Sequence, residues 1–479
     1  MTPTEPRWRD GVFARLLQPV DAAWLAAFRV CYGLALAFSM WRFVGYGWVD
    51  DFFVRPKMFF KYAGFEWVEP LSGPALHGLF WALAGLSLCV ALGFAFRLAA
   101  GLFALGSIYV QLIDVSTYLN HYYLAALLAL LFAVSPAHQS WSVDAWLAKR
   151  FAGSRLSAFM PRAARSVSVS VAWLYLFRFQ VGIVYVFAGL AKLQSDWLIH
   201  AQPLRIWLGA RTGLPLIGPL LAVPWVPLAF SWCGFLFDTT IVGFLSWSKT
   251  RPYAYVVVLG FHAMTRLLFP IGMFPVIMSL GALVFFSPSW PRWLGSRLGL
   301  RCAAAKVSLS VPTARGRHAW RVAALAGGMA YCALQLVLPL RFLAYGGNVL
   351  WHEQGMRFSW RVMVRAKGGG TTFVVYSPLR QHTYDVNPRE YLTRLQEAEM
   401  SSQPDLILQL AHHIHDDFAR RGYGDVQVRA ESRVGLNGRH SAPFVDARVD
   451  LARLDGDFSP SAFILPAPPE PPAHTRPVL

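Results

Sequence analysis

Residues 173–197 read WLYLFRFQVGIVYVFAGLAKLQSDW. The run is long enough to cross a bilayer as a helix, since about 20 apolar residues span the hydrocarbon core. It also carries Arg178, Gln180, Tyr185 and Lys192, which a purely anchoring helix does not need. Ionisable side chains within a span are costly and face a bundle interior, a cavity or a partner. Lys192 has two readings. Near a helix end its stem can lie along apolar surface while the ammonium snorkels to the interface. Desolvated, it loses its proton readily and serves as a base.

The rest of the chain supports a membrane setting. Of 479 residues, 55% are hydrophobic and 15% charged, whereas a soluble domain has about a quarter charged. The 19 Trp and 35 Phe suit interfacial belts and packed spans. A net charge of +18 raises nucleic acid as a partner. The basic residues cluster in short loops between apolar runs, however, and there the lipid bilayer with its anionic inner leaflet is the simpler partner. Residues 1–19 hold Arg7, Arg9 and Arg15 without a cleavable apolar region, so no signal peptide is expected. The five cysteines are scattered without a CxxC pair, which argues against a disulfide framework or a zinc site.

Apolar runs predict about nine transmembrane helices, near 24–46, 76–95, 98–114, 119–135, 171–192, 226–247, 253–268, 271–287 and 319–340. The Pro- and Gly-rich region 214–227 reads as a re-entrant piece. Lys149, Arg150, Arg155, Arg162 and Arg165 fall in one loop; Arg292, Arg297, Arg301, Lys306, Arg315 and Arg317 fall in another that holds no acid. The positive-inside rule therefore puts the N-terminus in the cytoplasm and everything after Leu340 outside.

Residues 341–460 read as an extracytoplasmic α+β domain, following a transmembrane catalytic domain over 1–340. SWRVMVRA and TTFVVYS alternate as strands of a hairpin around Gly368–Gly370. Pro388–Met400 and Pro404–Arg421 read as helices. DVQVRAESRVGL and FVDARVDLARL alternate across the turn at Asn437-Gly438. Residues 461–479 form a Pro-rich tail, expected to be disordered.

No soluble-enzyme motif is present. Polar residues at membrane depth or at span ends are Arg29, Asp114, Asn120, His121, Arg178, Lys192, Asp238, His262 and Arg266. Each can serve as interhelical glue worth about 1 kcal/mol, but a set of this size is more consistent with a polar cavity. The run HHIHDD at 412–417 reads as a solvated helix face, and no metal is expected.

FAGLAKLQSDW (187–197), FHAMTRLLFPIGMF (261–274) and SPSWPRW (287–293) together resemble the vitamin K-dependent γ-glutamyl carboxylase family. Further similarity runs through LNHYYLAALLAL (119–130), WSVD (141–144), YGGNVLWHEQGMRFSWRVMV (345–364) and FVDARVDLARLD (444–455). The resemblance implies coupled oxygenation of reduced vitamin K (phylloquinol or menaquinol) by O₂ and carboxylation of peptide glutamate by CO₂. It makes Lys192 the base toward the quinol, with Asn120, His121 and His262 at the quinol oxygens. Tyr185 lies two helical turns before Lys192 on the same face, and Arg178 two turns further, so both are candidates for the quinol pocket. Arg205 and Arg211 are candidate guanidinium clamps for the carboxylate of a glutamate-containing peptide or protein.

There are also departures from the family. The outer domain is short and, like the outer loops, lacks cysteine, so no disulfide can clamp it to the bundle. The composition looks bacterial, which implies a multi-pass protein of the inner (cell) membrane. Two alternatives stand beside the carboxylase: a quinol epoxidase without peptide carboxylation, and a quinone- or lipid-binding scaffold without catalysis. The sequence does not name the protein substrate, the quinone side chain or the oligomeric state.

Overall fold

A computed structural model describes residues 11–152, 168–299, 316–456 and 462–473. Strand β1 (Pro19–Asp21) leads into α1 (Ala23–Gly45), followed by α2 (Gly73–Leu92), α3 (Phe96–Ile113) and α4 (Asn120–Val134). After β2 (Ser168–Ser170) come α5 (Val171–Ala191), α6 (Val226–Ser246), α7 (Arg251–Leu268), α8 (Phe274–Gly281) and α9 (Gly316–Val337).

Among the described residues, six helices are long and apolar enough to cross a membrane: α1, α2, α3, α5, α6 and the stretch Trp320–Ala344. A seventh is added if Phe274–Phe285 and Trp290–Arg297, bent by 98°, form one span. The sequence reading of about nine exceeds this because α4 has 15 residues and α7 carries Arg251, His262, Thr265 and Arg266. The basic positions Arg155, Arg162, Arg165, Arg301, Lys306 and Arg315 lie outside the described residues.

Aromatic side chains fill the centre of the bundle. Phe132 of α4 packs against Phe28 of α1 at 5.4 Å and against Phe177 of α5 at 5.0 Å, and such contacts add to the energy of simple burial. One end of the bundle is closed by pairing of β1 with β2 and by the Arg292–Asp21 ion pair at 2.7 Å. At the same end Arg29 donates to the carbonyls of Ala137 and Trp141, which accounts for its burial.

The outer domain sits at the opposite end. Its antiparallel sheet runs in the order β4 (His382–Val386), β3 (Lys367–Ser377), β5 (Gln427–Leu436), β6 (Ala442–Pro443). Along β5, Val428, Ala430, Val434 and Leu436 alternate inward, as one buried sheet face requires. The helices α10 (Arg394–Met400) and α11 (Pro404–Arg420) accompany the sheet. Leu406, Ile407, Leu410 and Ile414 of α11 are buried in the same core as those strand residues.

Three expectations for this region change. SWRVMVRA is not a strand: Phe358, Trp360 and Met363 adopt positive φ, which breaks any extended run. Gly368–Gly370 is not a hairpin turn but part of β3, paired with Gly435, Val434 and Arg433. A Cβ at Gly369 would lie 2.1 Å from the Arg433 carbonyl oxygen, so glycine there serves close approach rather than turning. Of FVDARVDLARL, only a bridge at Val445 pairs, with Ile464. Its partner brings the start of the Pro-rich segment onto the domain, where Phe463 is buried and Trp351 Nε1 donates to the Leu465 carbonyl at 2.7 Å. The turn at Asn437-Gly438 has both residues at positive φ, as expected.

Asp196, just beyond α5, ties the outer domain to the bundle. Arg439 grips it with two hydrogen bonds of 2.7 Å, and Asn437 Nδ2 donates to it at 2.9 Å. Gln396 reaches Asp114 at 2.8 Å, and Tyr118 OH accepts from Phe358 N at 2.9 Å. Arg439→Ala leaves a buried carboxylate without its main cation, at a cost of about 3 kcal/mol. A clear fall in the thermal midpoint of the purified full chain is expected; an unchanged midpoint would show that this contact does not hold the domain in place.

Candidate functional site

Lys192 closes α5, its backbone N–H bonding to Gly189 O at 2.9 Å. Its side chain turns inward and is 6% exposed. Nζ donates to Asp238 Oδ2 at 2.6 Å and to Ala188 O at 3.2 Å, and lies 5.1 Å from the Trp197 ring centre. Asp238 is the only charged residue of α6, and at mid-helix it must find a counter-charge.

Gly189 makes the pairing possible. A Cβ there would lie 2.6 Å from Thr239 Cγ2 and 3.0 Å from Thr239 N, so only glycine lets α5 and α6 touch at this level. The AGLAK segment thus contributes both the cation and the small residue that admits its partner.

Tyr185, two turns earlier, donates to or accepts from His262 Nε2 of α7 at 3.0 Å. These groups line a cavity of about 90 Å³ with Lys192, Asp238 and Thr265. The wall is otherwise aromatic and apolar, including Phe230, Phe261, Phe269 and Phe274. Phe237 and Phe261 stack at 3.8 Å beside it.

A second, larger cavity of about 710 Å³ lies under the outer domain. It shares Trp207, Phe269, Ile271 and Met363 with the Lys192 pocket. Its polar lining includes Asn120, Arg211, Glu353, Arg357, Arg361 and Arg365. A third, apolar cavity of about 220 Å³ opens among α1 to α4, with His121 in its wall.

The sequence-predicted residues therefore divide. Lys192, Tyr185 and His262 come together. Asn120, bonded by Tyr118 OH at 3.0 Å, faces the outer cleft, and His121 faces the third cavity. Arg178 does not line the Lys192 pocket: its guanidinium donates to the carbonyls of Val284, Phe285 and Phe286 at 2.9–3.0 Å. Those carbonyls close a helix end and need donors. Arg205 donates to His200 O and Pro224 O and lies outside all three cavities, whereas Arg211 lines the outer cleft. Arg266 is exposed. In HHIHDD, His412 meets the Leu451 carbonyl and His415 bridges Asp416 and Asp425.

Sequence reasoning named Asp238 as polar but did not pair it with Lys192; the signal was a lone acid in an uncharged span. It also missed Glu353, Arg357, Arg361 and Arg365, spaced by four residues, of which the last two lay inside an apparent strand.

Residues 17–290, more than half of the chain, match the family described as HTTM domain. Bundle and match together define a multi-pass membrane protein. Residues 320–470 match the family described as vitamin K-dependent gamma-carboxylase, lumenal domain. With both halves matched in order, the chain belongs to the vitamin K-dependent gamma-carboxylase family. No solved structure matches it.

Asp238→Ala strands a buried ammonium and is expected to cost about 3–5 kcal/mol. Lys192→Met/Asp238→Leu removes both charges and should recover most of that loss in thermal unfolding of protein in nanodiscs. A loss in this double variant equal to the sum of those of Lys192→Met and Asp238→Leu alone would mean that the pair is not energetically coupled.

Proposed function

We propose that the chain is a vitamin K-dependent γ-glutamyl carboxylase of a bacterial inner membrane, with Lys192 as its base. The observation that carries this reading is the buried Lys192–Asp238 pair, 2.6 Å apart, in an aromatic pocket sharing a wall with a polar cleft.

The pocket wall fits an aromatic diol in kind. Aromatic faces bound it, and Lys192, Tyr185 and His262 offer groups that accept or donate a proton. Its volume of about 90 Å³ is below the roughly 150 Å³ that a benzene-sized cavity occupies. Binding a bicyclic ring therefore requires the pocket wall to move. When bound, reduced vitamin K with O₂ supplies a base strong enough to remove a glutamyl γ-proton, leaving as its epoxide, while CO₂ becomes the new carboxyl.

The chain's own part is positioning and proton handling. For Lys192 to act as the base, its ammonium first passes a proton to Asp238 Oδ2, 2.6 Å away, and the neutral amine left then takes the proton of a quinol hydroxyl. Tyr185 and His262, bonded to each other at 3.0 Å, are the candidates to orient the second ring oxygen. Asn120 and His121 serve from the neighbouring cavities. Arg211, in the outer cleft, is the candidate clamp for the substrate carboxylate.

In this reading residues 1–340 form the catalytic bundle and 341–460 the domain facing outward. A cytoplasmic N-terminus with the outer domain at the other face is supported by the contacts at the two ends. Asp21, before α1, meets Arg292, whereas Asp114, after α3, and Asp196, after α5, meet the outer domain.

Purified protein in nanodiscs, supplied with vitamin K hydroquinone, O₂, labelled bicarbonate and a glutamyl peptide, should form epoxide and labelled peptide together. Lys192→Ala should abolish both. Epoxide without label is the outcome for a quinol epoxidase, and neither product from folded protein is the outcome for a scaffold.

A further inference from the structure

The end of the bundle closed by β1 and β2 takes no part in the proposed chemistry, yet two short helices there repeat one pattern. WLAKR at 146–150 ends the helix Val143–Arg150, and WLGSR at 293–297 ends the helix Trp290–Arg297. In each, the small residue and the residue four before it are buried: Ala148 with Asp144, and Gly295 with Pro291. Trp146 and Trp293 are instead 61% and 60% exposed, and Arg150 and Arg297, four residues after them, are exposed as well. That spacing puts each tryptophan and its arginine on one helix face. The Arg297 guanidinium lies 5.6 Å from the Trp293 ring centre.

The buried sides fix both helices to the bundle. Trp290–Arg297 turns by 98° from Phe274–Phe285, so it runs along the membrane surface rather than through it. Arg178 of α5 holds this bend through the carbonyls of Val284, Phe285 and Phe286. Arg292 pairs with Asp21, and its guanidinium lies 5.5 Å from the ring centre of Trp141, two residues before the other helix. Asp144 accepts from Ala95 N at 2.8 Å and Phe96 N at 3.0 Å, at the start of α3. Asp21 and Asp144 are the acids that contacts place at this end among the described residues, and both are thus engaged. Lys149, Arg150 and Arg297 remain exposed with no ion pair among the described residues.

We propose that these two helices form a binding surface for anionic phospholipids of the inner leaflet, with Trp146 and Trp293 in the headgroup layer and Arg150 and Arg297 on the phosphates. Indole rings favour the boundary between water and lipid, and guanidiniums match phosphate oxygens. A soluble acidic partner would have no use for the indoles, and a lipid without net charge would leave the cations unmatched. The proposal uses the membrane setting and the cytoplasmic N-terminus of the reading above and none of its chemistry.

The test measures lipid binding without turnover. The full chain in detergent is titrated with phosphatidylglycerol or with phosphatidylcholine of the same acyl chains, and native mass spectrometry gives the affinity of the first lipids bound. Wild type should hold phosphatidylglycerol tighter by at least about fivefold, the contribution of one cation at an anionic surface. Arg150→Gln/Arg297→Gln should cut that preference by about fivefold, whereas Arg150→Lys/Arg297→Lys should keep it. Arg15→Gln/Lys249→Gln removes the same charge from exposed positions off these helices and should leave the preference nearly unchanged. Equal affinity of wild type for the two lipids, or an equal loss in the Arg15/Lys249 variant, would overturn the proposal. Displacement of bound phosphatidylglycerol by inorganic phosphate would overturn it too, by assigning the cations to a soluble anion. If wild type makes neither epoxide nor labelled peptide yet keeps the preference, the carboxylase reading fails and this surface stands.

Discussion

The buried contact between Lys192 and Asp238 sets the terms for the rest of the bundle. Taking either charge out of water costs several kcal/mol, and only close geometry with further hydrogen bonds offsets this. The pair meets that demand at 2.6 Å, with the Ala188 carbonyl as a second acceptor. Such closeness needs α5 and α6 in van der Waals contact, which Gly189 permits because a Cβ would collide with Thr239. Charge, glycine and helix register are thus one constraint. A shift of α6 by one residue would rotate Asp238 about 100° away from the amine and leave both charges stranded.

The turn that follows distributes this constraint across the molecule. KLQSDW sends three side chains in three directions. Lys192 enters the pocket, and Asp196 reaches Arg439 and Asn437 of the outer domain. Trp197 donates to the Ser231 carbonyl at 2.8 Å and places its ring beside the amine. The acid of this motif is therefore a tie between bundle and domain, and the tryptophan is both a wall and a brace. A residue pattern compact in sequence fixes three separate contacts because the end of a helix is where the chain can change direction within a few residues.

The membrane half was legible where hydropathy speaks alone. The long apolar helices α1, α2, α3, α5 and α6 lie where the runs predicted them, because a lipid-facing helix must satisfy its backbone internally and show apolar side chains outward. Lys192, Tyr185 and His262 were legible through motif and helical period. Arg178 was misread because the period that put it on the Tyr185 face says nothing about which carbonyls wait at the far end of a neighbouring helix. Period also misled in the outer domain. SWRVMVRA alternates in polarity, but its residues fold into a compact turn with repeated positive φ, and the arginines it carries converge on one cleft. Alternation records which residues are polar and not whether the backbone is extended.

The two cavities have opposite characters, and the wall between them keeps those characters apart. Trp207, Phe269, Ile271 and Met363 belong to both, and none carries a charge. In the proposed function the inner pocket handles a proton beside a single ion pair, and surplus positive charge has no part there. A cleft proposed to hold a substrate carboxylate is served by that charge. Placing the arginines across four apolar side chains, with Asp238 on the lysine's side, lets each compartment keep the electrostatics it needs. For a bicyclic ring to enter a pocket of about 90 Å³, as the proposed function requires, the pocket wall has to yield.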